Sequence, residues 1–132
     1  MEQKNPNLTE EEKKVLFDKG TEAPFSGKFV SNTDKGMYVC KNCGHELFSS
    51  EAKFESTAPG LAGWPAFSDP ANRENIELRP DDSGGMHRTE VICKNCGAHL
   101  GHFFEDAPDA GEHGGKHYCI NSVCLDLKPE GQ

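Results

Sequence analysis

Val39-Cys40-Lys41-Asn42-Cys43-Gly44-His45-Glu46-Leu47 recurs further along the chain as Ile92-Cys93-Lys94-Asn95-Cys96-Gly97-Ala98-His99-Leu100. Each Cys-Lys-Asn-Cys-Gly unit can fold as a tight turn that aims two sulfurs at one point, with the glycine adopting backbone geometry that a β-carbon would obstruct. Two such turns make a tetrahedron of thiolates. Zn2+ suits it, because four sulfurs at about 2.3 Å close the coordination shell and leave no position for chemistry. Cys40, Cys43, Cys93 and Cys96 are therefore read as ligands of one structural zinc ion. A disulfide framework and a thioredoxin-type redox pair fit less well. The polar stretch Met1 to Glu12 is not a secretory leader, and no βαβ setting surrounds either pair. The pattern is too sparse for a solenoid and marks two copies of one local device.

A clamp of this kind matches the composition. The 132 residues are only 34% hydrophobic, with 14 Gly, 8 Pro and 6 Cys. That describes one domain with many turns and a core small enough to need a staple. Zinc binding contributes folding free energy on the order of 10 kcal/mol in small zinc peptides. Asp and Glu number 22 against 14 Lys and Arg, for a formal charge of -8, so a phosphate-binding surface is disfavoured and nucleic acid is not expected as a partner. No apolar run approaches the roughly 18 residues of a membrane span. A cytoplasmic monomer is expected.

Leu8-Thr9-Glu10-Glu11-Glu12 carries a capping box, Thr9 at the cap and Glu12 three residues on, and predicts a short helix running to Gly20. Beyond Thr21 the periodicity changes. Gly36 to Val39, Asn75 to Leu78, Arg88 to Ile92 and Tyr118 to Leu127 are short, partly alternating and bounded by Gly, Pro or Asp, which predicts β-strands. The intervals leave no room for crossover helices, so the fold class expected is mainly β with antiparallel sheets.

Two cysteines lie outside the clusters. Cys119 sits in Gly114-Gly115-Lys116-His117-Tyr118-Cys119-Ile120-Asn121-Ser122, where alternation puts His117, Cys119 and Asn121 on one face. Three polar side chains sharing a face suit a reactive thiol, although a buried thiol is the alternative. Cys124, five residues on, would stand about 16 Å away in an extended strand, too far for a disulfide, and is read as a core thiol.

These motifs resemble the methionine-R-sulfoxide reductase B family. The resemblance runs from Thr21 to Leu127 through Thr21-Glu22-Ala23-Pro24-Phe25-Ser26-Gly27-Lys28-Phe29, Lys53-Phe54-Glu55-Ser56, Gly63-Trp64-Pro65-Ala66-Phe67, Gly97-Ala98-His99-Leu100-Gly101-His102-Phe103-Phe104 and Tyr118-Cys119-Ile120-Asn121-Ser122. It implies a zinc-bearing, β-tent-like single domain over residues 21–127, preceded by a helical segment at 1–20 and followed by a tail at 128–132. It also implies Cys119 as nucleophile on methionine sulfoxide, free or in peptides and proteins. His102 would then deliver the proton, His99 and Asn121 would fix the sulfoxide oxygen, and His117 would favour the thiolate. Asp106 matches an acidic position of the family, but before Pro108 it also reads as a turn residue. Trp64 would pack on the alkyl groups beside the sulfoxide, with a core aromatic as the alternative. Phe104 reads equally as pocket or core.

The chemistry agrees with that assignment. A sulfoxide sulfur becomes electrophilic when its oxygen is protonated, so the site needs a thiolate and proton donors. Cys119 would be left as a sulfenic acid, reduced by a dithiol protein such as thioredoxin or by another thiol. The chain departs from many of its relatives in two places. Ser56-Thr57-Ala58-Pro59-Gly60-Leu61-Ala62 holds no resolving thiol, and His117 stands where an arginine is frequent, exchanging a permanent cation for a titratable one. The rival reading is a zinc-ribbon interaction module without activity.

Overall fold

The computed structural model describes residues 4–18, 20, 22–23, 27, 29–30, 35–54, 63–71, 73–81, 88–104 and 117–129. The capping box forms as expected: the Glu12 N–H donates to Thr9 Oγ1 at 3.1 Å, and the Thr9 N–H donates to Glu12 Oε1 at 2.8 Å. The helix it starts, α1 (Glu10–Asp18), buries Val15 and Leu16. Gly20 closes its end by donating to the Lys14 carbonyl at 3.0 Å. Among the described residues no helix is long and apolar enough to cross a membrane.

Among the described residues the remaining regular structure is antiparallel sheet with three short 3-10 turns. β1 (Gly36–Cys40), β2 (Glu46–Ser49) and β9 (Leu125–Pro129) form a three-stranded sheet in the order β2-β1-β9. β3 (Lys53–Phe54), β4 (Ala66–Phe67), β5 (Ile76–Asp81), β6 (Arg88–Cys93), β7 (His99–Phe104) and β8 (His117–Ile120) form a six-stranded one, ordered β3-β4-β8-β7-β6-β5. The cysteine turns are the two hairpin connections, β1 to β2 in one sheet and β6 to β7 in the other.

Period-two alternation divides the large sheet into two unlike faces. Phe67, Tyr118 and Phe103 are register neighbours on one face. They meet the small sheet, where Phe48 stacks on Phe67 at a 4.5 Å centroid distance and Tyr38 meets Phe67 edge-on at 5.2 Å. That aromatic layer is the core between the sheets. The opposite face carries the row Phe54, Ala66, Cys119, His102 and Glu90, each paired with the next across the strands.

Two expectations need correction. Tyr118 to Leu127 is not one strand. It stops at Ile120, and a 3-10 turn over Ser122–Cys124, closed by the Cys124 N–H donating to the Asn121 carbonyl at 3.0 Å, hands the chain to the other sheet, where Leu125 pairs with Cys40. The extended-strand distance from Cys119 to Cys124 therefore does not apply. Burial isolates Cys124 instead: it is 0% exposed, and its thiol donates to the His99 carbonyl at 3.2 Å. Secondly, Lys128 and Pro129, assigned to the tail, belong to β9 and pair with Met37 and Gly36.

Gly101, paired with Ile120, marks where β7 and β8 approach most tightly. A Cβ there would run into the Cys119 carbonyl and the Ile120 Cα, both backbone atoms that cannot rotate away. Gly101→Ala should cost about 1–3 kcal/mol of stability, as overpacking does, measured as a lowered urea midpoint at unchanged m-value.

Candidate active site

The metal-ligating residues come first because they position the rest. In both turns the glycine N–H donates back to the first cysteine's carbonyl, Gly44 to Cys40 at 2.9 Å and Gly97 to Cys93 at 2.7 Å. Gly44 and Gly97 have φ of 81° and 80°, the left-handed region that a β-carbon disfavours. The two turns are copies in geometry as well as in sequence. All four sulfurs lie within 4.8 Å of one another, with Cys40 to Cys96 at 3.7 Å and Cys43 to Cys93 at 3.5 Å. Thiolates at about 2.3 Å from a common tetrahedral centre stand about 3.8 Å apart, so the cluster has the dimensions of a zinc site. Sulfurs this close do not ionise independently. Hydrogen bonds from its three neighbours, with burial, push Cys40 far above the ordinary thiol range, while the bond with Cys40 pulls Cys43 down to about 5 and Cys96 lower still. Four thiolates held this close would need a cation, and the donor set fits a divalent one.

Three residues past Cys96, β7 begins with the histidine pair. In a regular strand His99 and His102 would point to opposite faces. Val91 pairs with Gly101 but the next residue, Ile92, pairs with His99, so Leu100 is an extra residue on β7. This bulge turns His99 onto the face of His102, and the rings meet edge-on at 5.4 Å. His102 is the direct cross-strand neighbour of Cys119, which is half-exposed.

Each histidine has its own carboxylate. The His99 Nδ1 is 2.7 Å from Glu90 Oε2, and the His102 Nε2 is 2.7 Å from Asp81 Oδ2. Carboxylates accept, so these nitrogens are the N–H positions of the two rings. Arg88 holds a guanidinium nitrogen 3.9 Å from the same Asp81 oxygen. Glu90 and His99 are 1% and 2% exposed, a buried charge matched to a buried donor.

A second network ties the other residues together. The Asn121 Nδ2 and backbone N–H both donate to the Leu100 carbonyl, each at 3.0 Å, which holds the bulge in place. The Asn121 Oδ1 accepts the Glu22 N–H at 3.1 Å, and the Glu22 carbonyl accepts the Trp64 Nε1–H at 3.0 Å. The Glu22 carboxylate in turn accepts the Val123 N–H at 2.9 Å. Trp64 lies two residues before Ala66, the register partner of Cys119, and the Ile120 N–H donates to the intervening Pro65 carbonyl at 3.0 Å.

Of the candidates from sequence, Cys119, His102 and His99 are neighbours, and Asn121 and Trp64 are tied to that strand through the Leu100 carbonyl and Glu22. Phe104 pairs with His117, and their rings meet edge-on at 6.2 Å. His117 is fully buried, with Phe54 on it at 5.2 Å. Asp106 lies outside the described residues, as does the segment 55–62. Glu90, Asp81, Glu22 and Phe54 were not singled out from sequence. Glu90 was legible, since a carboxylate alternating with Val91 and Ile92 inside a strand signals a buried charge with a partner. Asp81 and Glu22 act across distances in sequence that no spacing reveals.

The SelR domain family matches residues 8–129. A peptide methionine sulfoxide reductase MsrB of Methanosarcina barkeri is 51% identical over 93% of this chain and 82% of its own. The chain belongs to the methionine-R-sulfoxide reductase B family. Methionine-R-sulfoxide reductase B2, mitochondrial, of Danio rerio is 47% identical over 92% of this chain and 68% of its own. The fold is also that of a crystal structure of the Mis18 'Yippee-like' domain, at a TM-score of 0.54 and 19% identity, covering 74% of this chain and 99% of that one. Membership sets aside the inactive zinc-ribbon reading.

Burial opposes the ionisation of Glu22. Desolvation raises its pKa above the ordinary carboxylate range, partly offset by the backbone N–H groups of Val123 and Ser122. An acid raised on folding contributes stability fully present below its unfolded pKa and lost as pH rises through the folded one. The stability of the unmodified chain relative to Glu22→Gln should therefore fall as pH rises above about 4, measured by urea unfolding of both proteins at each pH. A difference that is flat in pH would contradict the assignment.

Proposed function

We propose that this chain reduces methionine R-sulfoxide, free or in peptides and proteins, with Cys119 as the nucleophile. The observation carrying the proposal is the pairing of a half-exposed Cys119 with His102, a histidine already held by a carboxylate. The Cys119 sulfur attacks the sulfoxide sulfur while the sulfoxide oxygen takes a proton from His102. Oxygen then passes to Cys119, leaving methionine and a sulfenic acid: the substrate sulfur gains two electrons and Cys119 loses two.

Trp64 forms the wall against the methyl and methylene groups beside the sulfoxide, with Phe104 beyond it. Ala66, small and directly beside Cys119, leaves room above the sulfur. His99 supports His102 edge-on. Asn121, with both ends of its amide bonded to backbone, holds the bulge and, through Glu22, Trp64 in register. His117 packs the base of the pocket between Phe54 and Phe104, and Asp106 keeps its two readings as acidic site residue or turn residue. Residues 21–127 carry the chemistry, with 1–20 as a supporting segment and 128–132 as the terminal one.

Regeneration needs two thiols: one forms a disulfide with Cys119 and releases water, and the second displaces it. Cys124 is unsuited, since burial and nearby Glu22 and Glu12 raise its pKa well above the ordinary thiol value. A thioredoxin-like dithiol therefore meets Cys119 directly. That places the reaction in a reducing compartment such as the cytoplasm, with the chain acting as a monomer.

Cys40, Cys43, Cys93 and Cys96 would hold one Zn2+, whose contribution is charge neutralisation and cross-linking. Purified protein should contain one zinc per chain, and its removal with a chelator should abolish cooperative thermal unfolding, as expected for a contribution on the order of 10 kcal/mol. Unchanged melting after metal removal would refute the structural role. For the reaction itself, reduced protein without added thiol should release one methionine per chain and gain the mass of one oxygen. Cys119→Ser should release none, and release at the unmodified rate would overturn the mechanism.

A further inference from the structure

We propose that Asp81 is a positioning residue for this reaction, holding the His102 ring so that Nε2 serves the carboxylate and Nδ1 serves Cys119; the proposal rests on Cys119 being the nucleophile. The Asp81 Oδ2 is 2.7 Å from the His102 Nε2, and Asp81 is itself buried. It reaches His102 across β6, on which Arg88 is its register partner. Directly opposed Cβ atoms in an antiparallel pair are about 4.5–5.5 Å apart, and Nδ1 is the ring nitrogen nearer the His102 Cβ. With Nε2 committed to Asp81, Nδ1 is the nitrogen left within side-chain reach of the Cys119 sulfur.

The groups around His102 divide without conflict. Glu90 is its register partner on β6, but the Glu90 carboxylate bonds to the His99 Nδ1. Arg88, also on β6, lies near Asp81. Cys119 faces it from β8 and Asp81 from β5, with the His99 ring on β7 itself. α1, which also packs against β7, buries only Val15 and Leu16. Among the described residues, Asp81 is therefore the carboxylate bonded to the histidine next to Cys119.

The consequence is a choice of tautomer. With Nε2–H donating to Asp81, neutral His102 keeps its lone pair on Nδ1 and can take the Cys119 thiol proton there. The resulting imidazolium donates to Asp81 through Nε2 and holds that same proton on Nδ1. As the thiolate attacks, the proton passes to the sulfoxide oxygen, so one proton travels from Cys119 through His102 to oxygen and none is left over. An amide at position 81 can donate to Nε2 instead, which moves the ring proton to Nδ1 and removes the acceptor facing the thiol. This is the logic by which a carboxylate fixes a catalytic histidine elsewhere.

The test compares the unmodified chain with Asp81→Asn and Asp81→Glu, each zinc-loaded and reduced. Three quantities are followed between about pH 5.5 and pH 9: single-turnover methionine release, the rate of Cys119 alkylation by iodoacetamide, and zinc content with melting temperature. Asp81→Asn should release methionine about 10²-fold more slowly. Its alkylation profile should shift to higher pH at unchanged zinc content, and Asp81→Glu should recover part of both. Asp81→Asn with the unmodified rate and alkylation profile overturns the proposal while leaving the Cys119 reading intact. If the unmodified chain itself releases no methionine, the Cys119 reading has failed and takes this one with it. Should Asp81→Asn not fold, imidazole 15N NMR of the unmodified chain decides: an Nε2–H tautomer at His102 supports the assignment, and Nδ1–H overturns it.

Discussion

Four sulfurs hold two sheets by the tips of their hairpins, and most of the geometry downstream depends on that junction. Cys40 ends β1 and Cys93 ends β6, so the cluster joins the small sheet to the large one where each strand turns back. The core between them is a thin aromatic layer centred on Phe48, Phe67 and Tyr118. A layer of this size supplies limited apolar burial, and the composition offers little more. A cation bound by the four sulfurs would cross-link the sheets and keep β6 and β7 in a fixed relation to β1 and β9. Its effect reaches the chemistry through a short path, because β7 starts three residues past Cys96 and places His99 at its first position.

The bulge at Leu100 converts that anchoring into a site. Without it, His99 and His102 would straddle the sheet, one in the core and one outside. An extra residue in one strand leaves a carbonyl outside the regular ladder, and here Asn121 binds that carbonyl with both its backbone and side-chain N–H. Asn121 also accepts from Glu22, which binds Trp64, so the segment after α1 is coupled to the bulge and to the aromatic beside the nucleophile. The side chains around Cys119 thus come from four separate stretches of chain, joined by hydrogen bonds to backbone. Such bonds set position more sharply than apolar contact does.

How much of this was legible in the sequence follows from the range over which each signal acts. The duplicated cysteine turns and the Thr9 to Glu12 capping box are local devices, and both were readable with their partners. The strand over Tyr118 to Leu127 was read too long because its alternation continues through a turn that tertiary hydrogen bonds impose. β7 was not read as a strand at all, since a bulge and a glycine break the period-two pattern over His99-Leu100-Gly101-His102. Cys119 and the two histidines were singled out through motifs, but the carboxylates bonded to those histidines were not. Asp81 and His102 are brought together by register across three strands, and a single sequence contains no local trace of that register.

The distribution of the cysteines shows why one thiol can be reactive in a chain that holds six. Reactivity requires thiolate character and access together. The four cluster cysteines have their sulfurs turned toward one another, where a metal ion would occupy them. Cys124 is sealed, with its thiol spent on a backbone carbonyl. Cys119 alone combines partial exposure with a neighbouring imidazole. The same division constrains the return half of the cycle. With no second thiol able to approach from within the described structure, a sulfenic acid at Cys119 stays until an external thiol arrives, and the opening that admits a methionine side chain must also admit that thiol.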